Sequence, residues 1–204
     1  MIVSHILYKV NDLEASMRYF RSLGFQVEYG SKEKPHNALI YFSDGPYIEL
    51  LKKVPISGAT QLLLRGLGQG KVADRFKHWE RVEEGFFGLC LENDQTHFTL
   101  EKSILKQYQQ TYFTTKSKRK DPFNRRLKWK LLFPHELKLP FLMTAFNINP
   151  KPNNFIHPNG TKRIEQVTFG TDEHLFPVIE ALCNDNCLNL CIGKGVLRVS
   201  YTKV

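Results

Sequence analysis

At 204 residues, 42% apolar and 12% aromatic, the chain is long enough for one domain with a sizeable core and too apolar to be a disordered segment. No window approaches the ~18 consecutive apolar residues of a membrane helix, and the sequence enters a strand pattern at once, so the expectation is a cytoplasmic protein with no membrane partner. The formal net charge of +9 is concentrated, because residues 116–130 hold eight basic side chains against Asp121 alone, and an anionic partner is to be sought there first.

Residues 2–10 alternate as a strand, with Val3, His5 and Leu7 on one face and Ile6, Tyr8 and Val10 on the other. Asn11 as N-cap and Glu14 three residues on predict a helix over 12–23, with Leu13, Met17, Phe20 and Leu23 at helical spacing and Gly24 as its stop. "FQVEY", "NALIYF" and "PYIELLKK" read as strands, the last two joined by a tight "SDG" turn. In the connector 54–84, "KVADRFKHWERVEE" suits an amphipathic helix with Val72, Phe76 and Trp79 on one side. Its "GLGQGK" lacks the glycine spacing and preceding strand of a phosphate-binding loop and reads as a turn.

From residue 85 the order repeats. "GFFGLCLEN" is a strand, 94–110 a helix, and "TYFTTKSK", "RRLKWKLLF" and "LPFLMTAF" are strands. A truncated third copy has "RIEQVTFGTD" as strand, 173–183 as helix, and 188–193 and 196–204 as strands. The expected organisation is one domain over 1–204, with β-α-β-β-β modules at 1–53, 85–147 and, truncated, 162–204. Cys90 stands alone and Cys183, Cys187 and Cys191 repeat every four residues, which matches no standard zinc or redox spacing and reads as reduced thiols.

"SHILYKVNDLEASMRYFRSLGFQVEYG" resembles the opening of a vicinal oxygen chelate module, the superfamily of glyoxalase I, extradiol dioxygenases and fosfomycin and bleomycin resistance proteins. "HNALIYFSDGPYIELL", "RRLKWKLLFPHELKLPFLMTAF" and "HPNG" resemble its glyoxalase-like branch, so the likeness spans nearly the whole chain. It implies an α+β fold, in which paired modules form a half-open, mixed β-sheet barrel with helices outside and a ligand site on the concave face. It also implies a divalent metal (Zn, Ni, Mn or Fe), with His5 and Glu49 on the first- and last-strand ligand positions of module one. Module two departs from this pattern, offering Phe87 opposite His5 and Leu142 or Met143 opposite Glu49, whereas module three offers Glu165. The metal set expected is therefore His5, Glu49 and Glu165.

A neutral imidazole and a carboxylate suit a Lewis-acid metal that polarises a chelating substrate, with a carboxylate to move the proton. Without a metal, His5 and Glu49 either form a buried pair or line a ligand pocket, since burying both without partners is costly. His36 and Glu49 are the candidate catalytic residues, His36 titrating near neutrality. His157, in "HPNG", reads as a turn residue. Arg126 and Lys128 share a strand face by parity with Lys130. Pointing inward, that face would bind the carboxylate or phosphate of a small ligand alongside His5; pointing outward, it is solvated surface. Clustered basic residues also raise nucleic-acid affinity, but no recognised motif or interleaved aromatic platform accompanies them. Two functions follow, a metal-assisted lyase, isomerase or dioxygenase, and a metal-free protein that binds or sequesters a small anion. The unpaired third module leaves a sheet edge that invites a homodimer.

Overall fold

A computed structural model describes residues 1–54 and 56–203; Pro55, in the predicted connector, and Val204, at the end of the last predicted strand, lie outside the described residues. The first unit runs β1 (Ile2–Lys9), α1 (Leu13–Ser22), β2 (Glu28–Tyr29), β3 (Asn37–Ile40) and β4 (Tyr47–Leu51). Helices α2 (Gly58–Gly66) and α3 (Gly70–Arg81) follow. The second unit is β5 (Gly85–Asn93), α4 (Thr99–Gln107), β6 (Tyr112–Lys120), β7 (Arg126–Pro134) and β8 (Phe141–Thr144). The third is β9 (Thr161–Thr171), a 3-10 turn at Glu173–Leu175, α5 (Phe176–Leu182), β10 (Leu188–Ile192) and β11 (Gly195–Lys203).

Helix α1 is capped by Asp12 rather than Asn11: the Asp12 carboxylate accepts from the Ala15 N–H at 3.0 Å, the geometry an N-cap side chain needs. Gly24 ends it at φ +79°, and a Cβ there would lie 2.7 Å from Cβ of Asn159, so the "HPNG" turn can pack on the helix end only against glycine. Ser57 caps α2, an element the sequence pattern does not predict, and Gly68 at φ +74° turns the chain from α2 into α3.

The first two units share one α+β sheet of eight strands in the order β2-β3-β4-β1-β5-β8-β7-β6, joined where β1 pairs antiparallel with β5. The third unit forms its own sheet, β10-β9-β11. On the convex face Ile6, Ile48, Leu50, Leu91 and Leu142 pack against Leu13, Met17 and Phe20 of α1, Leu105 of α4, and Val167, Ile179 and Val196 of the third unit. The eight strands curl into a half-barrel whose two edges meet at one end. There the Lys32 N–H donates to the Lys120 carbonyl at 3.2 Å, and Arg119 of β6 donates to the Gly30 carbonyl and, at 2.8 Å, to Tyr41 Oη.

Helix α3 enters the concave face. Val72 and Phe76 pack with Leu7, Cys90, Phe133, Phe141 and Met143, and the Trp79 ring lies 5.0 Å from that of Phe141. Arg75, on the same helix and only 3% exposed, donates to the carbonyls of Leu139 (3.0 Å), Pro134 (2.8 Å) and Glu136 (2.7 Å). Half of the concave face is thus filled by a helix pinned at its centre. Replacing Arg75 with Met leaves three carbonyls without their donor and is expected to cost about 3 kcal/mol. Urea titration checks this, with a lower midpoint at unchanged m-value as the expected result.

Candidate functional site

The site begins with a β-bulge. Val3 opposes Leu91 and His5 opposes Cys90, so Ser4 is the extra residue in β1. A regular strand would put Ser4 on the convex face; the bulge turns it to the concave side beside His5 and moves Val3, predicted to share His5's face, into the convex core. The Ser4 hydroxyl donates to Glu92 Oε2 at 3.0 Å and lies 3.1 Å from His5 Nδ1. With Ser4's one proton on Glu92, the hydrogen bond from His5 takes its proton from Nδ1. Nε2 is then left unprotonated, 3.6 Å from Glu49 Oε2.

Glu49 is also held by Asn37, whose side-chain N–H donates to Oε1 at 2.7 Å. Asn37 fits there because position 30 is glycine: a Cβ would sit 2.1 Å from Asn37 Oδ1. The His5 ring stacks on Tyr47 at 4.7 Å and meets the edge of Phe141 at 5.4 Å, leaving the residue 4% exposed. Burial, reinforced by the positive charges of Lys151 and Arg119, pushes the His5 pKa down to about 3. Burial raises that of Glu49, against the opposing pull of the Asn37 hydrogen bond and Arg119. The 3.6 Å contact is therefore between a neutral imidazole and a carboxyl inclined to protonation, although its distance alone fits an ion pair.

Two cavities open near residues that touch this pair. One of about 600 Å³ is walled by Phe25, Leu39, Tyr41, Phe123 and Arg125. The other, of about 1000 Å³, lies between the large sheet and the third unit and is lined by Tyr47, Glu92, Phe146, Arg163 and Glu165. Pro150 and Lys151 border both, whereas His5 and Glu49 line neither; their neighbours Tyr47 and Leu39 stand in the walls. Lys151 Nζ donates to the Gly45 carbonyl at 2.7 Å, and burial lowers its pKa while Glu92 and Asp44 raise it. Burial raises the pKa of Glu92, opposed by Ser4 and Lys151.

Of the residues singled out in the sequence, the structure brings His5 and Glu49 together and leaves the others apart. His36 precedes β3; burial, with Lys53 and Arg119 near, lowers its pKa, and its carbonyl accepts from the Lys52 N–H at 3.0 Å. Arg126 and Lys128 are exposed on the outward face of β7, because Leu127 between them takes the buried inward position. Glu165 does not complete a metal set: it is exposed on β9, in the separate sheet. Among the described residues no three His, Cys, Asp or Glu side chains converge as a metal site. Phe141 and Met143 occupy β8, and Lys151 and Arg119 bring positive charge toward the pair, so the residues present do not fit a divalent cation.

Ser4, Asn37, Glu92, Arg119 and Lys151 escaped the sequence reading. Glu92, an acid inside an apolar strand, carried a readable signal; Ser4 did not, because alternation hides a bulge.

Because the folded-state pKa of His5 lies below its usual 6.5, the unfolded chain binds the extra proton between about pH 3 and 6.5. This contribution to stability is present above pH 6.5 and is lost as pH falls, by up to about 1.4 kcal/mol per pH unit. Glu49 acts in the opposite sense just above pH 4.5. Urea midpoints of wild type and His5→Gln between pH 4.5 and 6.5 are expected to show the steeper slope in wild type. Equal slopes would mean that the imidazole is not held neutral.

The glyoxalase-like domain family model matches residues 3–181. A hypothetical protein from Staphylococcus aureus superposes with a TM-score of 0.65 at 20% identity, over 95% of this chain and 87% of that one. A single-residue variant of the methylmalonyl-CoA epimerase from Streptomyces coelicolor, in complex with 2-nitronate-propionyl-CoA, reaches 0.44 at 16% identity, over 71% of this chain and 97% of that one. The methylmalonyl-CoA epimerase from Mycobacterium tuberculosis reaches 0.40 at 11%, over 70% and 85%. Comparison with curated proteins returns no match. No helix among the described residues is long and apolar enough to cross a membrane.

Proposed function

The chain belongs to the glyoxalase-like domain family, and from that membership we propose that it binds a small molecule bearing a carboxylate or phosphate, without a metal ion, in the cavities that meet at Lys151. The observation that carries this reading is Lys151 itself. Among the described residues it is the one cation that borders both cavities, and burial weakens its hold on its proton, a condition that a ligand anion would relieve. Aromatic walls at Phe25, Tyr41 and Phe123 suit the apolar body of such a ligand, and Arg125, whose charge is paired with Asp121, adds guanidinium N–H donors. This shifts the anion-binding role from Arg126 and Lys128 to side chains on the site's own walls.

A second reading, acid–base chemistry on the bound ligand, is favoured by the 3.6 Å contact of the His5 ring with the Glu49 carboxyl, and it requires a ligand atom to reach past Tyr47, since the pair lines neither cavity. Such a pair holds or releases one proton at Glu49 Oε2, with Asn37 fixing the carboxyl and Ser4 fixing the ring.

Thermal denaturation with a panel of organic carboxylates and phosphate esters tests the binding reading. A true ligand at about a hundredfold excess over its Kd stabilises the fold by about 2.7 kcal/mol. The shift is expected in wild type and to vanish in Lys151→Gln; an equal shift in both proteins would overturn the assignment. Metal analysis of untagged protein supplies a separate check, with Zn, Ni, Mn and Fe expected to be far below stoichiometric. Stoichiometric metal that disappears in the His5→Ala, Glu49→Ala double variant would restore a metal-assisted reading.

A further inference from the structure

The β6–β7 hairpin presents a second surface, on the side of the sheet away from the cavities. Its outward positions are Lys116, Lys118 and Lys120 on β6 and Arg126, Lys128 and Lys130 on β7. The register sets them in three directly opposed pairs, Lys116 with Lys130, Lys118 with Lys128 and Lys120 with Arg126. None of the four ion pairs among the described residues includes any of the six. Asp121, the only acid of the segment, is 2% exposed and bound to Arg125, so it offsets nothing on this face. Lys32, hydrogen-bonded through its backbone to Lys120, adds an exposed cation at one end.

Like charges directly opposite one another destabilise a strand pair, so their presence calls for a reason. Lysines on an edge strand deter pairing with another chain, and β6 is an edge. That accounts for half of the array only, because β7 lies inside the sheet between β6 and β8 and its cations protect no edge. The hairpin's apolar residues Leu127, Trp129 and Leu131 turn inward, Trp129 against Phe146. The basic face therefore lacks the aromatic or aliphatic anchor that a protein interface or a membrane-inserting surface uses.

What remains is a two-row array of charge set by the strand register. Alternate residues on a strand are ~6.8 Å apart and neighbouring strands ~4.8 Å apart, so three pairs cover roughly 14 Å. Nucleic-acid strands carry a phosphate about every 3.4 Å of axis, so such an array spans about four phosphates. We propose that this face binds the phosphate backbone of nucleic acid without reading its sequence, independently of the cavity site. The absence of a recognised nucleic-acid motif in the sequence is consistent with this, since backbone binding requires only placed charge.

The test is fluorescence anisotropy of a labelled DNA duplex against the full chain across a KCl series. Wild type is expected to bind with an affinity that falls linearly in log–log form with salt. Lys116→Gln/Lys118→Gln/Lys128→Gln is expected to bind at least tenfold more weakly, with a slope reduced by about 2.7, or about 0.9 per lost phosphate contact. The charge-conserving Lys116→Arg/Lys118→Arg/Lys128→Arg protein retains affinity. Arg18→Gln/Lys77→Gln/Lys106→Gln, which removes as many exposed charges from α1, α3 and α4, binds as wild type. The first variant melts at or above the wild-type temperature because it relieves cross-strand repulsion, so its weaker binding is not loss of fold. Equal weakening by both Gln variants would reduce the effect to net charge and overturn the proposal. So would absence of DNA binding at low salt, or binding to vesicles of equimolar phosphatidylcholine and phosphatidylserine but not to DNA. Loss of DNA binding leaves anion binding at Lys151 untouched, so the two readings fail separately.

Discussion

His5 and Glu49 lie side by side on neighbouring strands within a largely buried sheet face, and much of the local architecture answers the cost of putting them there. An isolated buried charge costs far more than one side chain's packing returns. The chain avoids that cost by keeping the ring neutral and the carboxyl inclined toward its protonated form. The polar atoms on the far side of each group are then given partners. The bulge turns Ser4 inward for Nδ1, Asn37 reaches Oε1 across the space left by Gly30, and Tyr47 covers the ring. Arg119, which helps close the half-barrel, supplies one of the charges that hold His5 neutral, so sheet closure and site electrostatics rest on the same guanidinium.

The two units of the large sheet have the same order of elements and unlike concave faces. In the first, the face carries polar and aromatic side chains. In the second, Cys90, Phe133, Phe141 and Met143 are covered by α3, and Arg75 holds that helix by three carbonyls rather than by an opposing charge. A site shared between the halves would require donors where this chain has aromatic rings and a helix. The connector thus fills one half of the barrel, and the two cavities open elsewhere, with walls from all three units and from the Pro150–Lys151 loop.

Much of the fold was legible because its signals are local. The period of α1, the glycine at its end and the repetition of an apolar strand before a polar helix start all lie within short windows. His5 and Glu49 stood out as titratable residues in apolar strands. What escaped depends on long-range geometry. Alternation assigned Val3 to the wrong face because a bulge changes parity without changing composition. Lys151 comes from a loop more than a hundred residues from its acceptor Gly45, and Arg119 meets Tyr41 only once the sheet curls. Parity did group Arg126, Lys128 and Lys130, but which way that group pointed depended on what lay behind Leu127 and Trp129.

The pleat of β6 keeps two kinds of charge apart. Arg119 points inward to the seam, while Lys118 and Lys120 on either side of it point outward. Opposed like charges cost up to about 1 kcal/mol per pair. Burial of a Leu-sized side chain contributes about 1.5–3 kcal/mol, so Leu127 and Leu132 are enough to hold the hairpin against three such pairs. The margin is modest, and anything that neutralises the outer cations widens it by linkage. Because the same strand carries Arg119 to the seam, a firmer hairpin also holds more firmly a charge that adds to the effect of burial and of Lys151 on His5.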